Sequence, residues 1–503
     1  MTPIPIGPSV VARAGELMLL SVAAAGHCRR AGYTVAEAVA AGLILPLAAL
    51  SAAFQLTELT GTPAVAVAAE AGLVLIAAAA LLGRDSIGAL REMTVALIWM
   101  ARHHRAVAGM LLVAVGGVGI ILASPSMPAS PAGLWLDAPP SPIGPDAPGN
   151  IVILTRLFSG GGGGSGLLGL WGYLAAGTAT YAMARRYAWP PTAVTVSMVV
   201  LSYPLFVQAA LFPGGVTLPA AAAALGLLYI HRLAESPTGA DLILMGNVFA
   251  FSIAAGPAPF ALAIILMGLA ALILYRRHGS RIWWPLLKGA PRRAWAAVIP
   301  LLILSQIPRL TVNLLREGAA YPPSPVPVNP DGIVGAVGNL LRDILATGAI
   351  PAPADALVRD LTGVSPAAVI ERLYGGLVFP LIDGRGAAVP FSVLPDPASP
   401  GGFGPLAFLL VLPAIGYAAV RGSRRIKAMA VALLGYLYLL TLMVGWTPEA
   451  MALLARIYVP GGFCVALILP PWRLTRTGKR IIQGICLVLL ALSVASLLPP
   501  MAP

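Results

Sequence analysis

Long apolar segments, separated by short polar stretches rich in proline and glycine, follow one another along most of this chain. Most of these segments have enough residues to cross about 30 Å of hydrocarbon as a helix. These segments do not alternate between polar and apolar residues, whereas the strands of a transmembrane β-barrel do. The pattern predicts an all-α polytopic membrane protein with about 13 transmembrane helices. The predicted spans are 36–56, 64–83, 107–124, 166–184, 190–210, 214–230, 239–255, 259–275, 294–308, 405–420, 428–446, 449–470 and 481–498.

A further apolar segment at 8–26 is interrupted by Arg13 and Glu16, and fits either a span or a helix on the membrane surface. Glu70 lies within the predicted span 64–83, and the sequence offers no partner for it.

The composition agrees with a membrane protein. Of the 503 residues, 58% are hydrophobic and 10% are charged, whereas soluble domains carry about 25% charged residues. A purely soluble fold is therefore excluded. The net charge of +13 comes from short basic clusters between apolar segments, so we expect no nucleic-acid partner. The three cysteines and five histidines have no metal-ligand spacing, so we predict no metal site and leave a divalent metal as an open possibility.

The basic residues predict how the chain is oriented. Alternate loops carry 23 lysines and arginines on one side and 7 on the other. Basic loops remain on the cytoplasmic side of a membrane. We therefore expect a multi-pass protein of a bacterial inner membrane with its active face towards the periplasm. On that face lie two long loops, 125–165 and 309–404. Helical spacing from Ile333 to Ile344, a C-cap at Gly363 and an N-cap at Ser365 predict surface helices within the second loop.

Several polar residues beside or within the spans have the chemistry of a membrane-surface site. Asp137 follows a span closely enough to fold back to the surface, where it would be either a general base or a solvated loop acid. Arg309 and Arg316 share a helical face and suit either a substrate phosphate or lipid headgroups. Arg456 lies inside an apolar segment, where a charge is costly. Its partner would be Glu449, two helical turns earlier, or a bound phosphate or substrate.

Three motifs in order resemble the GT-C superfamily of polytopic glycosyltransferases, especially relatives of protein mannosyltransferases and aminoarabinose transferases. The first, at 313–322, is a degraded version of the family's Asn-x-x-x-x-Gly-Asn-Pro-x-Tyr-Pro element. The second is a Gly-Gly-x-Gly-Pro entry into a span at 401–405, and the third is an Arg-x-Tyr-x-Pro element at 456–460. The resemblance covers roughly residues 107–498. It implies a helical bundle with long non-cytoplasmic loops, and a sugar transfer from a polyprenyl-phosphate donor at that face.

The resemblance also implies roles for particular residues. Asp137, with Asp146 next, would be catalytic. The lipid phosphate and the donor would be bound by the residues Arg309, Asn313, Arg316, Tyr321, Arg456 and Tyr458. The expected partners are the polyprenyl-phosphate sugar donor, membrane lipids and a membrane-protein partner.

We expect four parts in the chain, the first of which has no clear counterpart in the family. An N-terminal membrane segment with a basic cytoplasmic connector (1–106) precedes a transmembrane module containing the first long outer loop (107–308). An outer loop with juxtamembrane helices (309–404) and a set of C-terminal transmembrane helices (405–503) follow.

The chain also departs from the family's pattern, since Ala319 and Ala320 stand where the family has Asn-Pro. A catalytically inactive relative that binds lipid or a partner in a membrane complex is therefore the alternative function. A transporter is the third possible function. Transporters often contain internal repeats, and the absence of an evident repeat in this sequence counts against this function.

Overall fold

The computed structural model of the chain describes eight continuous stretches and some shorter pieces. The stretches are 10–60, 63–81, 165–210, 215–253, 255–289, 327–382, 402–469 and 476–495. Scattered residues between 88 and 102, Leu154, and short runs within 310–318 and 385–393 complete the description. The regular elements of these residues are helices. Two isolated β-bridges pair Val328 with Val444 and Ala387 with Trp446.

The N-terminal stretch forms three helices, α1 (Val10–Arg30), α2 (Val35–Thr60) and α3 (Pro63–Leu81). The ambiguous segment 8–26 thus belongs to a helix, which packs against α2 and α3. Its Arg13 forms ion pairs with Glu16 and with Glu70 of α3. The acid within the predicted span 64–83 therefore has a partner, which sequence spacing did not reveal.

The middle of the chain forms seven helices. They are α4 (Ser165–Ala184), α5 (Pro190–Leu201), α6 (Pro204–Ala209), α7 (Thr217–Glu235), α8 (Gly239–Ile253), α9 (Pro257–His278) and α10 (Trp283–Gly289). The predicted span 190–210 is divided between α5 and α6 because Pro204 has no amide hydrogen to continue the first helix. Instead, Pro204 begins the second helix, in the first-turn position that suits proline.

The described residues from 327 to 495 contain nine further α-helices. They are α11 (Gly332–Thr347), α12 (Ala352–Thr362), α13 (Pro366–Leu373), α14 (Phe379–Ile382), α15 (Leu412–Arg421), α16 (Arg424–Met443), α17 (Ala455–Gly461), α18 (Val465–Ile468) and α19 (Arg476–Ala495). A 3₁₀ turn, Glu449–Leu454, leads directly into α17. The predicted helix ends near 363 are confirmed. Gly363 has a φ of 75° at the C-cap of α12, and the Ser365 hydroxyl accepts a hydrogen bond from the Ala368 amide at 3.2 Å.

Within the described residues, six helical segments are long and apolar enough to cross a membrane. They are Val35–Ala52, Thr217–Glu235, Ala258–His278, Arg424–Met443, Ala450–Ile468 and Arg476–Ala495. Helices α11 and α12 form a seventh candidate, bent by 69° at the break between them. The described part of the chain is thus all-helical and has the features of a multi-pass membrane protein. The predicted spans 107–124 and 294–308 lie outside the described residues, and the count of 13 stays a prediction.

One end of the bundle is defined by a cluster of charged side chains that we call the basic end. Glu37 of α2 pairs with Arg186, which follows α4, and with Arg232 of α7. Glu235 pairs with Arg186 at 2.8 Å and with Arg425 at 3.7 Å. Arginines from three predicted cytoplasmic loops thus meet at one end of the bundle, as the alternation of basic loops requires.

Candidate functional site

Most of the predicted site residues lie outside the described residues. These are Asp137, Asp146, Arg309, Asn313, Arg316 and Tyr321. The two that the structure places, Arg456 and Tyr458, both lie on α17 and are both buried. They are far from the basic end along the span Ala450–Ile468, in which Arg456 is the seventh residue. At 1.5 Å per residue, Arg456 is about 10 Å from the start of that span.

Arg456 faces a narrow recess, with about 210 Å³ of space when the part open to the outside is included. Apart from Arg456 and Ser252, the lining side chains are apolar, and they come from α7, α8 and α9: Pro219, Ala223, Phe249, Pro259, Leu262, Ala263 and Leu266. Three lining residues, Pro219, Ser252 and Pro259, are within one turn of the helix ends opposite the basic end. The cavity, which we call the Arg456 cavity, is therefore close to the opposite surface of the bundle.

The hydrogen bonds of Arg456 are incomplete. Its guanidinium is hydrogen-bonded to the Tyr436 hydroxyl, which in turn donates to the Ala258 carbonyl at 2.9 Å. The Nε and Nη1 atoms are buried without any hydrogen-bond partner in the described chain. Arg456 also forms no ion pair with a described side chain, and the side chain of Glu449 lies outside the described residues. Tyr436 thus holds a cation whose two free donors are available to an anion.

Tyr458 joins two of the sequence motifs. Its hydroxyl is 2.8 Å from the Thr347 hydroxyl of α11, and its ring packs on Phe403 with centroids 4.8 Å apart. Phe403 belongs to the Gly-Gly-x-Gly-Pro segment, where a side chain on Gly402 would overlap the Ala346 carbonyl of α11. Glycine at 402 therefore permits the close approach that brings 401–405, 456–460 and α11 together.

Helix α11 places its polar residues towards the protein and its apolar residues outwards. Asn339, Arg342 and Asp343 are buried, whereas Ile333 is 67% and Val337 is 44% exposed. Because polar atoms inside a protein need partners, such an inverted helix requires a polar environment within the fold.

The partners of α11 tie it to neighbouring segments. Arg342 donates to the Asn339 side chain at 3.0 Å, to the Arg385 carbonyl at 2.8 Å and to the Tyr374 hydroxyl at 3.1 Å. Asn339 donates to the Val444 carbonyl at 2.9 Å, just beyond α16. These bonds fix α11 against the end of α16.

Two groups on this helix lack such partners: the buried Nη2 of Arg342 and the carboxyl group of Asp343. No hydrogen bond reaches this carboxyl group within the described chain, and burial raises its pKa to about 8, although the neighbouring Arg342 guanidinium opposes that shift. A carboxyl group in this position carries its proton at neutral pH and can donate it to an acceptor. Asp343 lies on α11, outside the six single-helix spanning segments and within the first half of the bent pair α11–α12.

Asp343 lies in the outer loop 309–404, and the sequence analysis did not single it out. The available signal was its spacing, because Asn339, Arg342 and Asp343 form a polar stripe at helical intervals among apolar residues. Nothing in the sequence indicated Tyr436, because its contact with Arg456 comes from packing between distant segments.

Comparisons with family models, with curated proteins and with solved structures found no match to this chain.

Proposed function

We propose that this protein is a glycosyltransferase that moves a sugar from a polyprenyl-phosphate donor to an acceptor at the membrane face opposite the basic end. The single observation that carries the proposal is Arg456, a buried cation with two unpartnered donors facing a cavity. The GT-C resemblance of the sequence supports the reaction type. The bias of basic residues supports a non-cytoplasmic face, which would be periplasmic in a bacterial inner membrane.

The donor's phosphate accounts for the unpartnered nitrogens of Arg456. Removing an arginine from water without a counter-ion costs several kcal/mol. Phosphate oxygens would accept from Nε and from Nη1 separately, because these two donors lie on different edges of the planar guanidinium. The apolar walls contributed by α7, α8 and α9 suit a prenyl chain, and the position near the helix ends suits a phosphate close to the membrane surface.

In the proposed reaction the acceptor hydroxyl attacks the anomeric carbon of the sugar. The bond from that carbon to the phosphate oxygen breaks, and the polyprenyl phosphate leaves with the bonding electrons. Asp137, as the sequence predicts, would take the proton of the acceptor hydroxyl. Arg456 would stabilise the negative charge that develops on the departing phosphate. Arg309 and Arg316 remain predicted contributors to the same phosphate site.

The experiment compares the wild-type protein with Arg456→Met in lipid nanodiscs. Undecaprenyl phosphate is the binding probe, and undecaprenyl-phosphate mannose with added cell-envelope extract tests transfer. We expect Arg456→Met to weaken lipid-phosphate binding at least tenfold, since it removes a charge-assisted pair. We expect Asp137→Asn to abolish transfer and to leave phosphate binding unchanged.

Arg359→Met is the matched control. Arg359 is an exposed arginine of α12, so it tests for attraction of lipids to surface charge. Equal binding by the wild type, Arg456→Met and Arg359→Met would contradict a phosphate site at Arg456. If phosphate binding depends on Arg456 but no polyprenyl-linked sugar is transferred, the protein is better described as a lipid-binding subunit than as a transferase.

A further inference from the structure

A second narrow cleft is lined by residues of the same two segments. It has about 250 Å³ of space when the part open to the outside is included, and its lining includes Asp343, Leu440, Trp446 and Leu454. Leu440 is one turn from Tyr436, the hydrogen-bond partner of Arg456, and Leu454 is two residues before Arg456. We call this space the Trp446 cleft.

Two buried polar groups in this cleft lack partners of complementary kind. The Trp446 indole is 1% exposed, and its Nε1 donor has no acceptor in the described chain. The Asp343 carboxyl group is 8% exposed and receives no hydrogen bond there. Asn339 already uses its amide on the Thr441 and Val444 carbonyls and on Arg342, so it cannot satisfy either group.

The surrounding backbone holds the Trp446 ring in place. The Trp446 amide donates to the Gly386 carbonyl at 3.1 Å, and the Gly445 amide donates to the Pro327 carbonyl at 2.8 Å. The indole packs on Phe391 with ring centroids 4.9 Å apart. Its N–H is therefore a fixed donor and not the tip of a mobile side chain.

We propose that the Trp446 cleft binds the hydroxyl-bearing edge of a pyranose sugar. A single hydroxyl can both accept from an indole N–H and donate to a carboxyl oxygen, and a pyranose presents several hydroxyls along one edge. The inference rests on the proposed function in one respect: a glycosyl phosphate whose phosphate lies at Arg456 would place its sugar beside this cleft. The aromatic ring and the acid then select a sugar and not a second lipid chain.

The test uses soluble probes that do not depend on the lipid phosphate. The protein is placed in phosphatidylcholine nanodiscs, because maltoside detergents would themselves present sugars. Methyl α-mannopyranoside, methyl α-glucopyranoside and methyl α-galactopyranoside are the probes, and tetrahydropyran is the ring without hydroxyls. Binding is measured by saturation-transfer NMR. We expect at least one pyranoside, but not tetrahydropyran, to bind saturably.

Three variants locate the binding. Trp446→Phe keeps the ring and removes only the N–H, and Asp343→Ala removes the carboxyl group. Each should weaken pyranoside binding about threefold to tenfold, as expected for one buried hydrogen bond. Trp284→Phe, at an exposed tryptophan of α10, should change nothing. A thermal unfolding midpoint for each variant identifies any that fails to fold.

The results separate this inference from the proposed function. Pyranoside binding that is lost in Trp446→Phe but kept in Arg456→Met supports the cleft even if the phosphate site fails. Absence of binding by all three pyranosides, or equal binding by the wild type and Trp446→Phe, would overturn the inference and leave a water molecule as the occupant. Polyprenyl-phosphate binding at Arg456 is tested separately, by comparing the wild type with Arg456→Met.

Discussion

Replacing Asp343 with asparagine should stabilise the fold increasingly as the pH rises. Asparagine has nearly the shape of a protonated aspartic acid and never ionises. The pKa of Asp343 is about 8 in the folded chain, against an ordinary value of 3.8. Between pH 4 and 8 the folded carboxyl group therefore keeps a proton that the unfolded group has released, and stability is lost as the pH rises through this window.

The size of the effect follows from the shift. Each pH unit between the two pKa values corresponds to about 1.4 kcal/mol. Over about four units, the wild-type protein would lose about 5 kcal/mol relative to Asp343→Asn, as an upper bound. The difference between the two proteins should be near zero at pH 4, should grow steadily to pH 8 and should then level off. Other acids are common to both proteins, so their contributions cancel in this difference.

The assay is denaturant unfolding of both proteins in nanodiscs at unit steps from pH 4 to pH 9. Asp355→Asn is the contrasting variant. Asp355 is also buried, but its carboxylate accepts hydrogen bonds from the Ser365 hydroxyl at 2.7 Å and from the Ala367 amide at 2.9 Å. Replacing it should therefore destabilise the protein at neutral pH. A stability difference for Asp343→Asn that stays constant from pH 5 to pH 8, or that falls, would refute the argument.

Two further predictions concern the fold. Glu37→Gln should destabilise the protein by about 3 kcal/mol, because it leaves two arginines at the basic end without their shared acid. Denaturant unfolding measures this, and Asp360→Asn at an exposed pair should have almost no effect. Gly402→Ala should lower the thermal midpoint by an amount equivalent to about 1–3 kcal/mol, because the new methyl group overlaps the Ala346 carbonyl. Gly416→Ala, in a helix with open space around it, should be neutral or slightly stabilising.

The sequence predicted most of the described helices because their determinants are local. Apolar runs place the helices in the membrane, and capping residues such as Gly363 and Ser365 set their ends. The break between α5 and α6 was also encoded locally, since Pro204 lies in the middle of the predicted span 190–210. The prediction of one span there overlooked this proline, because hydropathy does not register the loss of an amide donor.

The site was less predictable because its properties arise from contacts between distant segments. Arg456 could be singled out from sequence, since a charge within an apolar run is conspicuous. Its partner Tyr436 is on another helix, and no spacing rule connects the two. Asp343 is one of eight acids in the outer loop 309–404, and its burial comes from the packing of α11 against α16. The pairing of Arg13 with Glu70 is hidden for the same reason.

The two ends of the bundle differ in how charge is matched. At the basic end, Glu37 and Glu235 are shared among three arginines, and Asp241 receives Arg232 at 2.7 Å. Each of these arginines, although only partly buried, lies within ion-pair distance of an acid. At the opposite end Arg456 is buried with no described acid beside it. A buried cation without a counter-ion lowers stability, so an anion bound beside Arg456 would stabilise the fold. The phosphate that we propose for the Arg456 cavity would be such an anion.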